Sequence, residues 1–314
     1  MTRKIAFLFP GQGSQYVGMG LHMAETFQEA KEVFEQADEI CRKPISRFCF
    51  EGPMEELTLT VNLQPAVTAV SLSCLAALLQ AGIRPEVVAG HSLGEYAALV
   101  AAGVLSREGA LALVQKRGEL MHREALAHPG AMAAIIGLPI EEVRMIVDEA
   151  RDTGVLGIAN HNTAEQIVIT GERDPVSRAV VLAKERKARA VPLKVSGAWH
   201  SRLMENAVKD FRSFMEDVSF SEPRCPVLFN ATAEEETDPR KIKDLMANQL
   251  ISPVRWYDII LRMHREGIDA FVEVGPKNVL SGLVKKILPP DQEDILLHNV
   301  GDPKGLHSLL DALK

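Results

Sequence analysis

Cysteine is scarce in this 314-residue chain, with four residues at 41, 49, 74 and 225 and no C-x-x-C among them. That scatter excludes a disulfide scaffold and a zinc ribbon, and reduced thiols are the natural state. Basic residues are not in excess: 35 Lys+Arg against 42 Asp+Glu leave a net charge of −7, which argues against a generally basic nucleic-acid surface. No repeat or low-complexity linker interrupts the chain. The N-terminal apolar stretch ends after five residues at Pro10, without the longer h-region and small-residue cleavage site of a secretory signal. The apolar run from Ala97 to Leu105, bounded by Glu95 and Arg107, is far shorter than a membrane span. What is plentiful is apolar sequence, 46% of residues and spread along the chain. That suffices for one large globular domain, or one plus a smaller one, and is not the composition of a disordered protein. A soluble cytoplasmic protein is expected.

Ile5 to Phe9 reads as a buried strand running into the glycine-rich turn Gly11-Gln12-Gly13-Ser14. Helices are predicted over Met23–Cys41, Gln64–Ala81 and Arg107–Leu126, with a short strand Val87–Ala89 ending at Gly90-His91-Ser92, where another helix starts. Short apolar strands alternating with helices point to an α/β fold with a parallel sheet covered on both faces. After His128-Pro129-Gly130 the pattern changes. Strand Ala131–Gly137, helix Ile140–Ala150, strands Val155–Ala159 and Gln166–Thr170 around an Asn160-His161-Asn162 turn, helix Asp174–Lys187 and strand Ala190–Val195 follow in order. Strand-helix-strand-strand-helix-strand is the split βαβ, ferredoxin-like pattern. A small inserted domain is therefore expected over 128–196, within a core made of 1–127 and 197–314. The core resumes with helix Met204–Glu216, strand Pro226–Asn230, helices Lys241–Leu250 and Trp256–Glu266, strand Ala270–Val274 and helix Asn278–Ile287.

Gly90-His91-Ser92-Leu93-Gly94 fits G-x-S-x-G between a predicted strand and a predicted helix. There a serine sits on a tight turn, flanked by glycines because side chains would collide, and the helix N-terminus offers N–H groups to a developing oxyanion. The bland alternative is a packed turn or helix cap. The serine needs a base. Of nine histidines, His91 points away from its neighbour on such a turn, whereas His200 follows Val191–Val195 in the loop Ser196-Gly197-Ala198-Trp199. A loop position at a strand end leaves an imidazole available for chemistry, although a hydrogen-bonded structural histidine is equally compatible. No acidic partner stands out, and a backbone or amide carbonyl can orient the ring in a dyad. Gly11-Gln12-Gly13 fails as a dinucleotide or phosphate loop, because Tyr16 occupies the third-glycine position and no Gly-Lys-Ser/Thr follows. Its amides still lie at a strand's carboxyl end, beside Ser92. Arg117, in the apolar stretch Gly109–Met121, either snorkels to the surface or faces a cleft, where its fork would suit a carboxylate. His91 and Glu95 are one helical turn apart, but no H-E-x-x-H or acidic cluster accompanies them, so no metal site is expected.

Together these motifs resemble the malonyl-CoA:acyl-carrier-protein transacylases of fatty-acid synthesis, over nearly the whole chain. The resemblance runs through FPGQGSQ at 9–15, Gln64-Pro65-Ala66, GHSLGE at 90–95, Gln115-Lys116-Arg117-Gly118 and Asn160 with Gln166. It continues through VSGAWHS at 195–201, Gln249 with Pro253-Val254-Arg255-Trp256, and EVGP at 273–276. The resemblance implies an α/β-hydrolase-like core with the ferredoxin-like insertion. It implies that Ser92 accepts the acyl group, His200 is its base, and the Gln249 carbonyl orients His200. The amides of Gln12 and Leu93 would form the oxyanion hole, Arg117 would pair with the malonyl carboxylate, and His91 would support the bound acyl group. Malonyl-CoA and holo acyl carrier protein are the implied partners, with no cofactor, metal, nucleic acid or membrane. Trp199 stands where the family commonly has phenylalanine, walling the space beside the malonyl α-carbon, and Ala198 replaces a frequent proline.

Three rivals remain at this point: a serine hydrolase or thioesterase, a trans-acting acyltransferase serving a polyketide synthase, and a non-catalytic carrier-protein docking module. Lys184–Arg189 and Lys285-Lys286 are the candidate carrier docking faces. Each is otherwise a solvated helix face.

Overall fold

Five consecutive residues with no polar side chain, Ile5–Phe9, form β1, and the site is built around this strand's carboxyl end. The computed structural model describes residues 3–288 and 294–314. After β1 come α1 (Leu21–Thr26), α2 (Gln28–Cys41), α3 (Ile45–Phe50), α4 (Met54–Thr58) and α5 (Thr60–Gln80), then β2 (Val87–Gly90), α6 (Gly94–Ala101) and α7 (Arg107–Ala127). The single helix expected over Met23–Cys41 is broken at Phe27, whose extended backbone separates α1 from α2. Thr26 and Phe27 are both weak helix formers, and Phe27 packs against the core. Helices α3 and α4 are additions to the sequence reading.

Helix α5 is long and apolar enough by composition to cross a membrane. It is buried along nearly its whole length, as expected of a core helix apolar on all sides. Helix α7 packs on α5 and starts at a Ser106 cap whose Oγ accepts from the Gly109 amide at 3.0 Å. The close approach depends on Gly118: a Cβ there would sit 3.0 Å from the Thr60 carbonyl oxygen and 3.3 Å from Gln64 Cγ.

The next segment supplies β3 (Gly130–Ile136), α8 (Ile140–Arg151), β4 (Leu156–Thr163), β5 (Gln166–Glu172), α9 (Arg173–Glu185) and β6 (Arg189–Pro192). These strands pair antiparallel in the order β4-β5-β3-β6. Ile135, Val143, Ile146, Ile167 and Ile169 belong to an apolar cluster of this segment's own, under α8 and α9. Asn160-His161-Asn162 is not the turn expected from sequence. It lies inside β4, which turns only at Ala164-Glu165 and carries irregularities on both sides of Asn160-His161. Asparagine favours turns, but here the bulged backbone pairs elsewhere: His161 N–H donates to Val254 O and Val254 N–H to Ala159 O, each at 2.8 Å. Strand β6 ends at Pro192, three residues before the expected limit, although the Leu193 amide still bonds Met132 O at 2.9 Å.

The chain then forms α10 (Glu205–Met215), α11 (Pro239–Asn248), α12 (Trp256–Arg265), β7 (Ala270–Val274), α13 (Val279–Ile287), β8 (Leu296–Val300) and α14 (Pro303–Ala312). Pro226–Asn230 is less than the strand expected. It touches β2 through a single parallel bridge, Val88 to Val227. The parallel sheet runs β2-β1-β7-β8, so Phe9, Gly90 and Glu273 end side by side. The architecture is α/β, with one parallel and one antiparallel sheet.

Candidate active site

Strand β2 ends at Gly90 and α6 begins at Gly94, leaving three residues to reverse the chain. Ser92 takes a left-handed conformation, φ 52°, which a non-glycine residue adopts only when its surroundings enforce it. The enforcement is contact. A Cβ on Gly90 would lie 1.9 Å from the Gly94 carbonyl carbon, and one on Gly94 2.0 Å from Phe9 O. Gly90→Ala should therefore cost about 3 kcal/mol or more, or prevent folding; thermal unfolding reads this, and a wild-type Tm would show the elbow to be slack. The β1 turn lies against the elbow as well, since a Cβ on Gly11 would come 2.4 Å from His91 O. Neither the Gln12 nor the Leu93 amide has a protein acceptor among the described residues.

His200 also has positive φ, 59°. Its Nε2 lies 2.8 Å from Ser92 Oγ, and its Nδ1 lies 2.9 Å from the carbonyl oxygens of both Gln249 and Ser252. Carbonyls only accept, so Nδ1 carries the proton and Nε2 presents its lone pair to the serine hydroxyl. Burial, with the Arg117 cation second, pushes the imidazole pKa down to about 3. The ring is neutral at physiological pH and free to take a proton.

Arg117 is 1% exposed, which decides between a surface and a cleft position. Nη1 donates to Gln64 Oε1 at 2.5 Å, and Nη2 to Gln249 Oε1 at 2.9 Å and Ser92 Oγ at 3.2 Å. Every acceptor it has among the described residues is neutral, and Nε is buried without a partner. A buried cation so placed favours an incoming anion. Ser92, His200, Arg117, His91, Gln12 and Trp199 line one cavity of about 110 Å³. Burial holds His91 neutral, and its Nε2 donates to Asn162 Oδ1 at 2.8 Å. A larger cleft, about 880 Å³, lies between α8, β4 and α12, with His161 against Tyr257. None of these six residues lines it. Among the described residues no three His, Cys, Asp or Glu side chains converge as a metal site.

The acyl transferase domain family matches residues 6–295. A malonyl CoA-acyl carrier protein transacylase of Bacillus subtilis (strain 168) is 43% identical over 313 residues, 99% of this chain and 98% of the relative.

The chain belongs to the malonyl-CoA:acyl-carrier-protein transacylase family.

A polyketide biosynthesis malonyl CoA-acyl carrier protein transacylase, PksC, of the same strain is 42% identical over 286 residues, 90% of this chain and 96% of its own. Among solved structures, an acyl carrier protein S-malonyltransferase from Vibrio cholerae O1 biovar eltor superposes with a TM-score of 0.92. It is 40% identical and covers 98% of this chain and 99% of that one.

Of the eight residues to which the transacylase resemblance gives a role, six line the cavity, and Gln64 and Asn160 of its motifs line it too. Leu93 is buried at the head of α6, and Gln249 is buried behind Arg117 and His200. The lysine and arginine runs at the ends of α9 and α13 do not line it. Sequence reasoning missed Asn230, whose Oδ1 accepts from the Ser92 amide at 2.6 Å and whose Nδ2 donates to Gly90 O at 2.7 Å. It missed the Ser252 carbonyl, the part Gln64 plays in holding Arg117, and Glu95 at the base of the elbow. Gln64 stood within a quoted motif. Asn230 and Ser252 carried no sequence signal beyond a polar residue at a segment end.

Proposed function

We propose that this protein transfers the malonyl group from malonyl-CoA to the phosphopantetheine thiol of acyl carrier protein, through a malonyl ester on Ser92, supplying fatty-acid elongation. The observation that carries the reading is that one hydroxyl, Ser92 Oγ, stands within hydrogen-bond reach of both a neutral imidazole and a buried guanidinium. A nucleophile with its base and a carboxylate-binding cation thus share a small cavity. In the first half-reaction His200 Nε2 takes the Ser92 proton as Oγ attacks the thioester carbon. Charge gathers on the carbonyl oxygen, for which the Gln12 and Leu93 amides are the donors. The C–S bond then breaks, and the proton on His200 passes to the coenzyme A thiolate. In the second half-reaction His200 takes the pantetheine thiol proton, sulfur attacks the ester, and Ser92 regains its hydrogen. The malonyl carboxylate pairs with Arg117, which an acetyl group cannot do. Trp199 walls the space beside the α-carbon and His91 supports the acyl group. The thioester is already activated, so the resident groups suffice.

The same proposal takes residues 1–127 and 197–314 as an α/β-hydrolase-like core and 128–196 as a ferredoxin-like small domain. The strand order β4-β5-β3-β6 with α8 and α9 supports that division. A cytoplasmic setting, without membrane or nucleic acid, belongs to it as well. Supply of malonyl groups to a polyketide synthase is the second reading, favoured by PksC, whose identity to this chain is close to that of the first relative. Genes for a synthase lacking acyltransferase domains beside this one would decide for it.

Intact mass after brief mixing with malonyl-CoA tests the reaction, beside acetyl-CoA and Ser92→Ala. A malonyl adduct is expected on the wild type, absent from Ser92→Ala and discharged by holo carrier protein. Release of free malonate without an adduct would mean a hydrolase instead.

A further inference from the structure

Glu95 has no part in the chemistry above, yet it is 1% exposed and lies at the centre of the site's hydrogen bonds. Its Oε1 accepts from the Asn230 amide at 2.6 Å, and its Oε2 accepts closely from Gln249 Nε2. We infer that Glu95 is a positioning residue for malonyl transfer, fastening through the Gln249 amide both the Arg117 guanidinium and the carbonyl that orients His200, and through Asn230 the amide of Ser92. This inference rests on the transacylase reading of the same site.

The Gln249 amide has only one workable orientation. Its Oε1 accepts from Arg117 Nη2 at 2.9 Å, and its Nε2 donates to Ser92 O at 2.8 Å as well as to Glu95. Turned over, the amide would set N–H groups against a guanidinium and an oxygen against a carbonyl. Gln249 therefore presents N–H to Glu95. The Asn230 main chain can present nothing else. With a donor at each oxygen, the carboxyl group serves both partners best when ionised; a proton turns one oxygen into a neutral hydroxyl, a weaker acceptor than a carboxylate oxygen. Burial pushes its pKa up to about 7, against the pull of the Asn230 amide, Gln249 and Arg117.

The titratable neighbours are displaced away from that value. Tyr96, next on α6, is driven further up by burial; His200 is pushed down to about 3, and burial pushes His91 on the turn down as well; Arg117 on α7 stays a cation. Protonation of Glu95, as pH falls through about 7, removes the charge that strengthens its bonds and loosens Gln249, with Arg117 and His200 attached to it. Acylation should thus decline on the acid side well above the point at which His200 itself takes a proton.

The test is the single-turnover rate of Ser92 malonylation across about two pH units either side of neutrality, for wild type, Glu95→Gln and Glu95→Asp. The wild-type rate is expected to fall about tenfold per pH unit below the midpoint. Glu95→Gln sets its NH₂ against one of the two donors, so its rate at mildly alkaline pH should be about 10- to 100-fold lower and its acid limb absent. Glu95→Asp keeps the charge and should keep the limb. A Glu95→Gln protein with the wild-type limb overturns the inference, as does a wild type malonylated at constant rate through the acid range, a measurement needing no variant. A wild type that takes no malonyl group overturns the transacylase reading itself, and the mass spectra show this before any pH dependence is read.

Discussion

Alanine in place of His200 should leave Ser92 on its elbow and slow its malonylation by on the order of 10³- to 10⁴-fold at neutral pH. The serine hydroxyl has two functional neighbours, His200 Nε2 at 2.8 Å and Arg117 Nη2 at 3.2 Å, and only the first has a lone pair to take its proton. What survives is whatever the oxyanion donors and substrate binding supply without a base. Both half-reactions should fall together, because in the proposed reaction one imidazole activates first the serine and then the carrier thiol. Rapid mixing followed by intact mass measures the first, and discharge by holo carrier protein the second. A loss of less than tenfold in either would remove Nε2 from the role of base.

Arg117→Ala is expected to divide the two donors. Malonyl transfer should fall roughly 10²- to 10³-fold, the cost of leaving a desolvated carboxylate without its charged partner, while acetyl transfer changes by less than about tenfold. Arg117→Lys, a point charge without the planar fork, should fall between. The measured quantity is the ratio of kcat/KM for malonyl-CoA to that for acetyl-CoA. Part of the loss will come from Gln64 and Gln249, which both accept from the guanidinium, but that part is common to the two donors and cancels in the ratio. An unchanged ratio would take Arg117 out of carboxylate recognition.

The elbow is legible in the sequence because two glycines flank the serine: the one at 90 is demanded by a contact of 1.9 Å across the turn to Gly94, the one at 94 by the carbonyl of Phe9 on β1 at 2.0 Å. His200 is reachable only as a candidate, because a loop position after a strand leaves an imidazole available for chemistry while a structural histidine fits there equally well. Arg117 was undecidable from α7 alone, since periodicity does not say which face a neighbouring helix will cover. The cover comes from α5, drawn close over Gly118. Asn160-His161-Asn162 favours a turn on local preference alone, and its place in β4 depends on Val254, a partner more than ninety residues on. Strand β8 and α14 are additions to the sequence reading, although Asp302-Pro303 is a regular helix start, with Asp302 accepting from the Gly305 amide at 2.7 Å. Main-chain groups were beyond reach without the fold. The Ser252 carbonyl has no letter in a sequence.

That last point bears on how the site withstands mutation. In a serine–histidine–aspartate arrangement a single codon change deletes the group that steers the imidazole. Here His200 is steered by two peptide carbonyls, of Gln249 and Ser252, which every amino acid carries. No substitution at position 252 removes its oxygen; it acts only by moving the backbone. Drift at that position should therefore be filtered by loop geometry rather than by side-chain identity, and a library at 252 should keep activity wherever the turn before Pro253 is kept.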